Sequence, residues 1–169
     1  MGLIATTTNV NIKTDSMSFL SKLFRKKPVL DPIDLSLVGT DMHSHLIPGI
    51  DDGAPNTEIS IDLIRKLTGL GYSKLITTPH IMSDYYRNTS EGILRGLDGL
   101  REALQKENIS VPIEAAAEYF LDEHFEKLIQ KKDILTFGDN YVLFELSFMI
   151  EPASLKKVLF ELQMAGYKP

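Results

Sequence analysis

Two histidines separated by one residue, with two adjacent aspartates shortly after them, mark the segment DMHSHLIPGIDDG at residues 41–53. Side chains two residues apart on a β-strand point to the same side, so His43 and His45 could hold one cation from one face. Imidazole nitrogens and carboxylate oxygens together suit Mn, Fe or Zn. Alone the pair is weak evidence for a metal, since Asp51 and Asp52 are also ordinary turn residues.

Three further side chains of the same kind lie far apart in the sequence. His80 follows the run LITTP, where it could also serve only as the cap of a strand end. Glu118 and Glu145 stand in the apolar runs AAAEYF and VLFELSF, with no lysine or arginine close by. An ionised carboxylate in such surroundings is costly unless a positive charge meets it. Taken together, these residues predict a cluster of divalent cations.

Alternating strands and helices explain how these side chains could meet. Strands are predicted at residues 36–45, 74–78, 111–119 and 141–147, and helices at residues 57–71, 90–107, 122–130 and 152–164. This alternation is typical of an α/β fold with parallel strands and right-handed crossovers. The candidate ligands fall at the C-terminal ends of the strands, which form one face of such a fold and usually carry its active site.

The composition excludes several kinds of protein. A length of 169 residues suits one domain with a real core. A net charge of −5 argues against broad, charge-driven binding of nucleic acid. Because the chain has no cysteine, it has no disulfide, no thiolate zinc site and no cysteine nucleophile of the kind some phosphatases use.

The first 33 residues are predicted to lie outside the main domain, which spans residues 34–169. Residues 1–16 form a polar tail, and residues 17–27 form a short basic amphipathic segment that could touch a membrane surface or a partner. The preferred interpretation is a terminal helix that packs on its own domain and ends at Pro28. Translation from Met17 instead of Met1 is a further hypothesis.

A cytoplasmic location is predicted from the absence of membrane signals in the sequence. A transmembrane helix needs about 20 apolar residues. The most apolar run, residues 141–150, is shorter and contains Glu145. The first residues also lack the basic start and long apolar centre of a secretory signal.

Four motifs in order, DMHSHLIPGIDDGA, LITTPH, AAEYFLDEHF and VLFELS, resemble the PHP (polymerase and histidinol phosphatase) family. The likeness is greatest to its bacterial manganese-dependent protein-tyrosine phosphatases of the CpsB/YwqE type, which act in capsular or extracellular polysaccharide synthesis. It runs from about Leu37 to the last residue. The resemblance implies a distorted TIM-like barrel of parallel strands, incomplete in this chain.

The resemblance also implies a site with up to three metal ions, Mn first, with Fe or Zn as alternatives. Its implied ligands are His43 and His45 on one metal, Glu118 between that metal and a second, Glu145 on the second or its neighbour, and His80 with Asp51 or Asp52 on the third. Asp52 is preferred to Asp51, but both stay open. Arg87, in the loop after His80, is a candidate contact for the substrate phosphate, or a solvated loop residue.

The implied reaction is hydrolysis of a phosphomonoester by a metal-activated hydroxide, without a phosphoenzyme. The expected substrate is a phosphotyrosine protein, above all the autophosphorylated tyrosine kinase of a polysaccharide export system. The alternatives are a PHP phosphatase for a small molecule such as histidinol phosphate, and an inactive remnant that binds a partner.

One departure from the family concerns length. Relatives of this type continue with a further strand that carries a His and an Arg, and later with an Asp and a His that complete the metal sites. The fourth histidine here, His124, falls in a predicted helix, where a surface role is expected. The sequence is therefore expected to be a fragment or a truncated product, with an open barrel and an exposed apolar edge.

Overall fold

The computed structural model describes residues 33–149 and 151–169, and Ile33–Pro169 form one compact unit. The predicted polar tail, the basic amphipathic segment at residues 17–27 and the helix end at Pro28 lie outside the described residues. The same holds for the proposed start at Met17.

The described residues alternate strands and helices as the sequence pattern predicts. The elements are β1 (Thr40–Ser44), α1 (Thr57–Gly69), β2 (Lys74–Thr77), β3 (His80–Ile81), α2 (Ser90–Lys106), β4 (Ile113–Ala115), β5 (Glu118–Phe120), α3 (Glu123–Lys131), β6 (Leu143–Glu145) and α4 (Leu155–Met164). Every pair among these strands is parallel. The predicted α/β class with parallel strands is therefore confirmed.

The third predicted strand is divided in two, and a further short strand follows the second, which the sequence pattern did not predict. Thr78 and Pro79 separate β2 from β3, and Ala116 and Ala117 separate β4 from β5. Proline has no N–H to give to a strand ladder, which favours an interruption at Pro79. The strands consequently form two small sheets, with the order β1-β2-β4 in one and β3-β5-β6 in the other.

Backbone hydrogen bonds also link neighbouring chain segments at the interruptions between the two sheets. The Thr78 N–H donates to the Ser44 carbonyl (2.7 Å), and the Glu118 N–H donates to the Pro79 carbonyl (3.0 Å). His80 and Glu118 are direct partners in the β3–β5 register. These two residues therefore begin the second pieces of their strands, whereas the sequence pattern had placed them at or after strand ends.

The first three helices begin at residues whose side chains cap them, and they pack through their apolar faces. Asn56, Thr89 and Asp122 accept hydrogen bonds from the first turns of α1, α2 and α3. The core joins α1 and α2 to the first sheet through residues that include Ile64, Leu75 and Leu100. The last helix begins at Leu155, three residues later than predicted, because residues 153–154 form a turn.

The outer edges of the sheets stay without a further strand in the part of the chain that the structure describes. β1 pairs only with β2, and β6 pairs only with β5. Phe148, just after β6, is 99% exposed, and Met149 is 76% exposed. No helix within residues 33–149 and 151–169 has both the length and the apolar character that crossing a membrane requires.

Candidate metal centre

Five candidate ligands from four separate chain segments meet at one place. His43 lies on β1, and His45 follows the last residue of that strand. His80 begins β3, Glu118 begins β5, and Glu145 ends β6. The parallel register pairs His80 directly with Glu118, and Glu145 lies two residues after Leu143, the partner of Glu118 on β6.

The Glu118 carboxylate lies at the centre of this group. Its Oε1 is 3.8 Å from His43 Nε2. Its Oε2 is 3.2 Å from His45 Nε2 and 3.3 Å from His80 Nδ1. Glu118 is only 8% exposed, as its apolar sequence surroundings suggested. A buried carboxylate ringed by three imidazoles has the donors and the charge to hold divalent cations.

The route by which His43 and His45 reach Glu118 differs from the regular alternation that the spacing suggested. The pairing of β1 with β2 shifts register between Asp41 and Ser44, and His45 lies outside the strand. An irregularity of this kind redirects side chains and is common beside functional sites. Both Nε2 atoms nevertheless face Glu118, while His43 Nδ1 forms a hydrogen bond with Thr78 Oγ1 (2.8 Å).

The two aspartates, which sequence reasoning left as alternatives, have different surroundings. The Asp51 side chain is 1% exposed, and its Oδ2 lies 2.9 Å from His45 Nδ1. Asp51 also accepts hydrogen bonds from the N–H groups of Gly53 and His80, both at 3.0 Å. Asp52 is 60% exposed, and its Oδ1 lies 3.4 Å from His45 Nδ1 and 3.5 Å from His80 Nε2. Asp51 is thus placed to orient His45, and Asp52 has a free carboxylate beside two imidazoles.

The ionisation states of His45, Asp51 and Glu118 depend on one another. Burial alone would lower the pKa of His45, but the Asp51 and Glu118 carboxylates outweigh burial and raise it to about 10. Burial opposes ionisation of Asp51 and of Glu118, yet hydrogen bonds and neighbouring histidines lower the pKa of each. Without a metal ion, protons therefore supply the positive charge that these carboxylates need.

The geometry fits metal ions at two overlapping places. Ligand atoms of His43, His45 and Glu118 all lie within 4.8 Å of one another, and so do those of His45, Asp52 and His80. His80 Nδ1 is buried and forms no hydrogen bond with any described residue. A shared cation would satisfy this nitrogen, since carboxylate oxygens surround it.

Glu145 joins the group, but its surroundings differ from those that its sequence context predicted. Its Oε1 is 3.3 Å from His80 Nδ1. Its side chain is 34% exposed, so the expectation of a buried carboxylate in an apolar environment is wrong for Glu145. The residue ends β6 at an open edge of its sheet, where solvent reaches it.

Sequence reasoning missed two residues that hold the site in shape. The Tyr86 ring stacks on the His80 ring, with centroids 5.3 Å apart and planes 11° apart. The Asn88 side-chain amide donates to the carbonyls of Ile50 (3.0 Å) and His80 (2.8 Å). No sequence signal for metal binding could have identified either residue, because both act through a ring face or backbone carbonyls.

Arg87 lies apart from the clustered ligands. It is exposed, and its Nε donates to the Ser83 carbonyl (2.8 Å). With Asn88, His124 and two other residues it lines a cleft of about 210 Å³. None of its hydrogen bonds or ion pairs with described residues reaches the cluster. His124 is exposed on α3, in agreement with the predicted surface role.

Comparison with known proteins shows relatives of one kind. Tyrosine-protein phosphatase YwqE of Bacillus subtilis is 30% identical over 130 residues, which cover 76% of this chain and 51% of the relative. Tyrosine-protein phosphatase CpsB of Streptococcus pneumoniae is 28% identical over 131 residues, covering 76% of this chain and 54% of the relative. The chain thus spans about half the length of the curated relatives it matches.

A solved structure supports the same relationship. The matching chain belongs to a study of crystal structures of YwqE from Bacillus subtilis and CpsB from Streptococcus pneumoniae. That study describes the two proteins as unique metal-dependent tyrosine phosphatases. The match has a TM-score of 0.70 and 30% identity, and it covers 77% of this chain and 53% of the solved one. The model of the family "Capsular polysaccharide synthesis, CpsB/CapC" matches residues 39–169. The chain therefore belongs to the CpsB/CapC family of capsular polysaccharide synthesis proteins.

Proposed function

We propose that this protein is a metal-dependent protein-tyrosine phosphatase of capsular or extracellular polysaccharide synthesis. The observation that carries the proposal is the buried Glu118 carboxylate between the imidazoles of His43, His45 and His80. Its relatives YwqE and CpsB are named tyrosine-protein phosphatases, which supports the same reaction here. The substrate would be a phosphotyrosine protein in the cytoplasm, including the tyrosine kinase of a polysaccharide export system.

Two cation positions follow from the geometry. One would be held by His43, His45 and Glu118, and the other by His45, Asp52 and His80, with Glu118 and Glu145 close to His80 Nδ1. Asp51 would not bind metal itself but would orient His45 through Nδ1, as carboxylates commonly do for metal-binding histidines. Manganese is the proposed metal, with iron or zinc as alternatives, and full-length relatives would hold up to three ions.

The chemistry suits a phosphomonoester. Bound divalent cations would make hydroxide available at neutral pH to attack phosphorus, and would supply positive charge for the phosphate oxygens. Glu118 and the imidazoles would fix the positions of these charges before substrate binds. Arg87 is proposed as a contact for the phosphate or its peptide, since its guanidinium is exposed on the loop that follows His80.

The test is manganese-stimulated hydrolysis of an aryl phosphate. It would compare the 169-residue chain with a chimaera in which the remaining length of YwqE follows residue 169. The chimaera is expected to hydrolyse p-nitrophenyl phosphate with Mn²⁺ and to lose at least about tenfold in rate with His43→Ala. A smaller loss would contradict the ligand assignment. His124→Ala is the matched control, because that imidazole is exposed outside the cluster.

The two rival functions make different predictions for the same proteins. A histidinol phosphatase would turn over histidinol phosphate faster than a phosphotyrosine peptide, and the relatives do not favour this alternative. An inactive remnant would bind metal only substoichiometrically. Metal analysis of the purified chain after dialysis against Mn²⁺ therefore separates an enzyme from a remnant.

A further inference from the structure

Asn88 connects the two segments that carry the second proposed cation position. Its Nδ2 donates to the carbonyl of Ile50, in the loop that bears Asp51 and Asp52. The same Nδ2 donates to the carbonyl of His80. The two hydrogens of one amide group thus join the aspartate loop to strand β3.

A third hydrogen bond also connects the aspartate loop to strand β3. Asp51 Oδ2 accepts from the His80 N–H at 3.0 Å. Both backbone polar groups of His80 are therefore tied to the aspartate loop, one directly through Asp51 and one through Asn88. Asp52 Oδ1 lies 3.5 Å from His80 Nε2, and these hydrogen bonds connect the loop that carries Asp52 to the His80 backbone.

Asn88 is itself held in place from both directions along the chain. Before it, Met82 and Tyr86 exchange two backbone hydrogen bonds of 2.9 and 3.1 Å, which close the loop after β3. After it, Thr89 caps helix α2 by accepting from the Gly92 N–H at 3.1 Å. The amide is thus anchored to the start of a 17-residue helix.

We propose that Asn88 is a positioning residue that fixes the spacing between the aspartate loop and His80. The consequence for metal binding rests on the proposed function. Asn88 then sets the affinity of the cation position formed by His45, Asp52 and His80, without touching the cation. The first position, at His43 and Glu118, has no such tie to Asn88.

The chemistry of the amide suggests two substitutions. Asn88→Ala removes both donors, and Asn88→Asp keeps the shape but sets a carboxylate against two carbonyl oxygens. Asn108→Asp is the matched control, because it adds the same charge at an exposed residue after α2. Its left-handed backbone (φ 55°) is one that aspartate tolerates.

Hydrogen exchange of the metal-free chain tests the positioning role by itself. In both Asn88 variants, peptides covering residues 46–54 and 80–86 are expected to exchange about tenfold faster, since two hydrogen bonds are lost. Peptides from α1 and the middle of α2 are expected to be unchanged, as is the whole Asn108→Asp chain. Unchanged exchange at residues 46–54 and 80–86 in both variants would overturn the proposal, and so would equally faster exchange throughout the chain.

Titration with Mn²⁺ tests the consequence for metal binding. The Asn88 variants are expected to lose about 10- to 100-fold in affinity at one class of site and to keep the other. Equal loss at both classes, or no loss, would overturn the proposed selectivity. If the unsubstituted chain binds no Mn²⁺, the proposed function fails, and the exchange result alone then decides the role of Asn88.

Discussion

At the scale of single residues, the two neighbouring aspartates show how little spacing says about role. Both stand in DDG, and both are acidic, yet one carboxylate is buried against His45 Nδ1 and the other faces solvent beside His80. The difference comes from the loop backbone. A Cβ on Gly53 would lie 2.3 Å from the His45 Cβ, so only glycine allows the loop to approach this closely.

The first prediction separates Asp51 from Asp52. Asp52→Asn is expected to remove one Mn²⁺ from the number bound at saturation, because a ligand is lost. Asp51→Asn is expected to keep the number and to weaken binding by about 10- to 100-fold, because Asp51 orients His45 and accepts from the His80 N–H without being a ligand itself. Calorimetric titration gives both quantities. Asp98→Asn, at an exposed position of α2, is the control, and the opposite pattern would reverse the two assignments.

A second prediction concerns pH in the metal-free chain. Folding raises the pKa of His45 from 6.5 to about 10, so its contribution to stability is complete below pH 6.5 and is lost as pH rises towards 10. Folding lowers the pKa values of Asp51 and Glu118, so their contribution is present above about pH 4.5 and is lost as pH falls. The free energy of unfolding is therefore expected to be greatest between about pH 4.5 and 6.5.

Urea unfolding with a chelator present would measure this profile. His45→Gln is expected to flatten the decline between pH 6.5 and 10, because glutamine does not titrate. His124→Gln, at an exposed position, should leave the decline in place. Stability that increases over the same interval would contradict the assigned direction of the His45 pKa.

At the scale of elements, helix α2 and the aspartate loop are packed without spare room. A Cβ at Gly96 would lie 2.5 Å from Ile47 Cγ2, and Ile47 is only 1% exposed. A Cβ at Gly99, one turn along the same helix, would have no heavy atom within 4 Å. The helix therefore supports the loop between His45 and Asp51 by direct contact.

The third prediction uses this pair of glycines. Gly99→Ala is expected to stabilise the chain by about 0.5–1 kcal/mol, because alanine loses less backbone entropy in a helix. Gly96→Ala is expected to destabilise it by about 1–3 kcal/mol through overpacking against Ile47, despite the same helical gain. Gly96→Ala should also weaken Mn²⁺ binding, whereas Gly99→Ala should not. Urea unfolding and titration check both, and equal stabilities would show that Ile47 can move aside.

The elements themselves were largely predictable, since apolar spacing at three and four residues identified α1 and α2. The short strand β3 after Pro79 and the division of the third strand were not. Pro79 was taken as the end of a strand, although the chain continues into β3 after it. The run AAAEY shows no alternation of apolar and polar residues that would mark a break at Ala116. Alanine is tolerated on either face of a strand, and also in helices and loops.

At the scale of the whole molecule, the candidate metal centre joins segments from most of the described chain. That these histidines and glutamates would lie close together was predictable from the alternation of strands and helices, and their role as metal ligands stays a prediction. Tyr86 and Asn88 were not predictable, since what they contact is a ring face and two carbonyl groups. Such contacts exist only after the chain has folded.

The fourth prediction follows from this long-range connection. Binding only to the folded state stabilises it by mass action, so Mn²⁺ at 100 times its Kd is expected to add about 2.7 kcal/mol per site. Thermal unfolding with and without Mn²⁺ measures the gain. Glu118→Gln should abolish most of it, because that carboxylate contacts three imidazoles. Glu102→Gln, at an exposed position of α2, is the control. An equal loss of the Mn²⁺-dependent gain in that variant would show that the gain depends on net charge and not on Glu118 as a ligand.

The wide separation of the ligands also bears on synthesis at the ribosome. His43 emerges early, whereas Glu145 lies more than a hundred positions later, at the end of β6. A nascent chain can therefore form the first imidazole pair long before the last carboxylate leaves the exit tunnel. We expect cation capture to require the docking of β6 beside β5, so that metal binding depends on chain segments that are synthesised far apart in time.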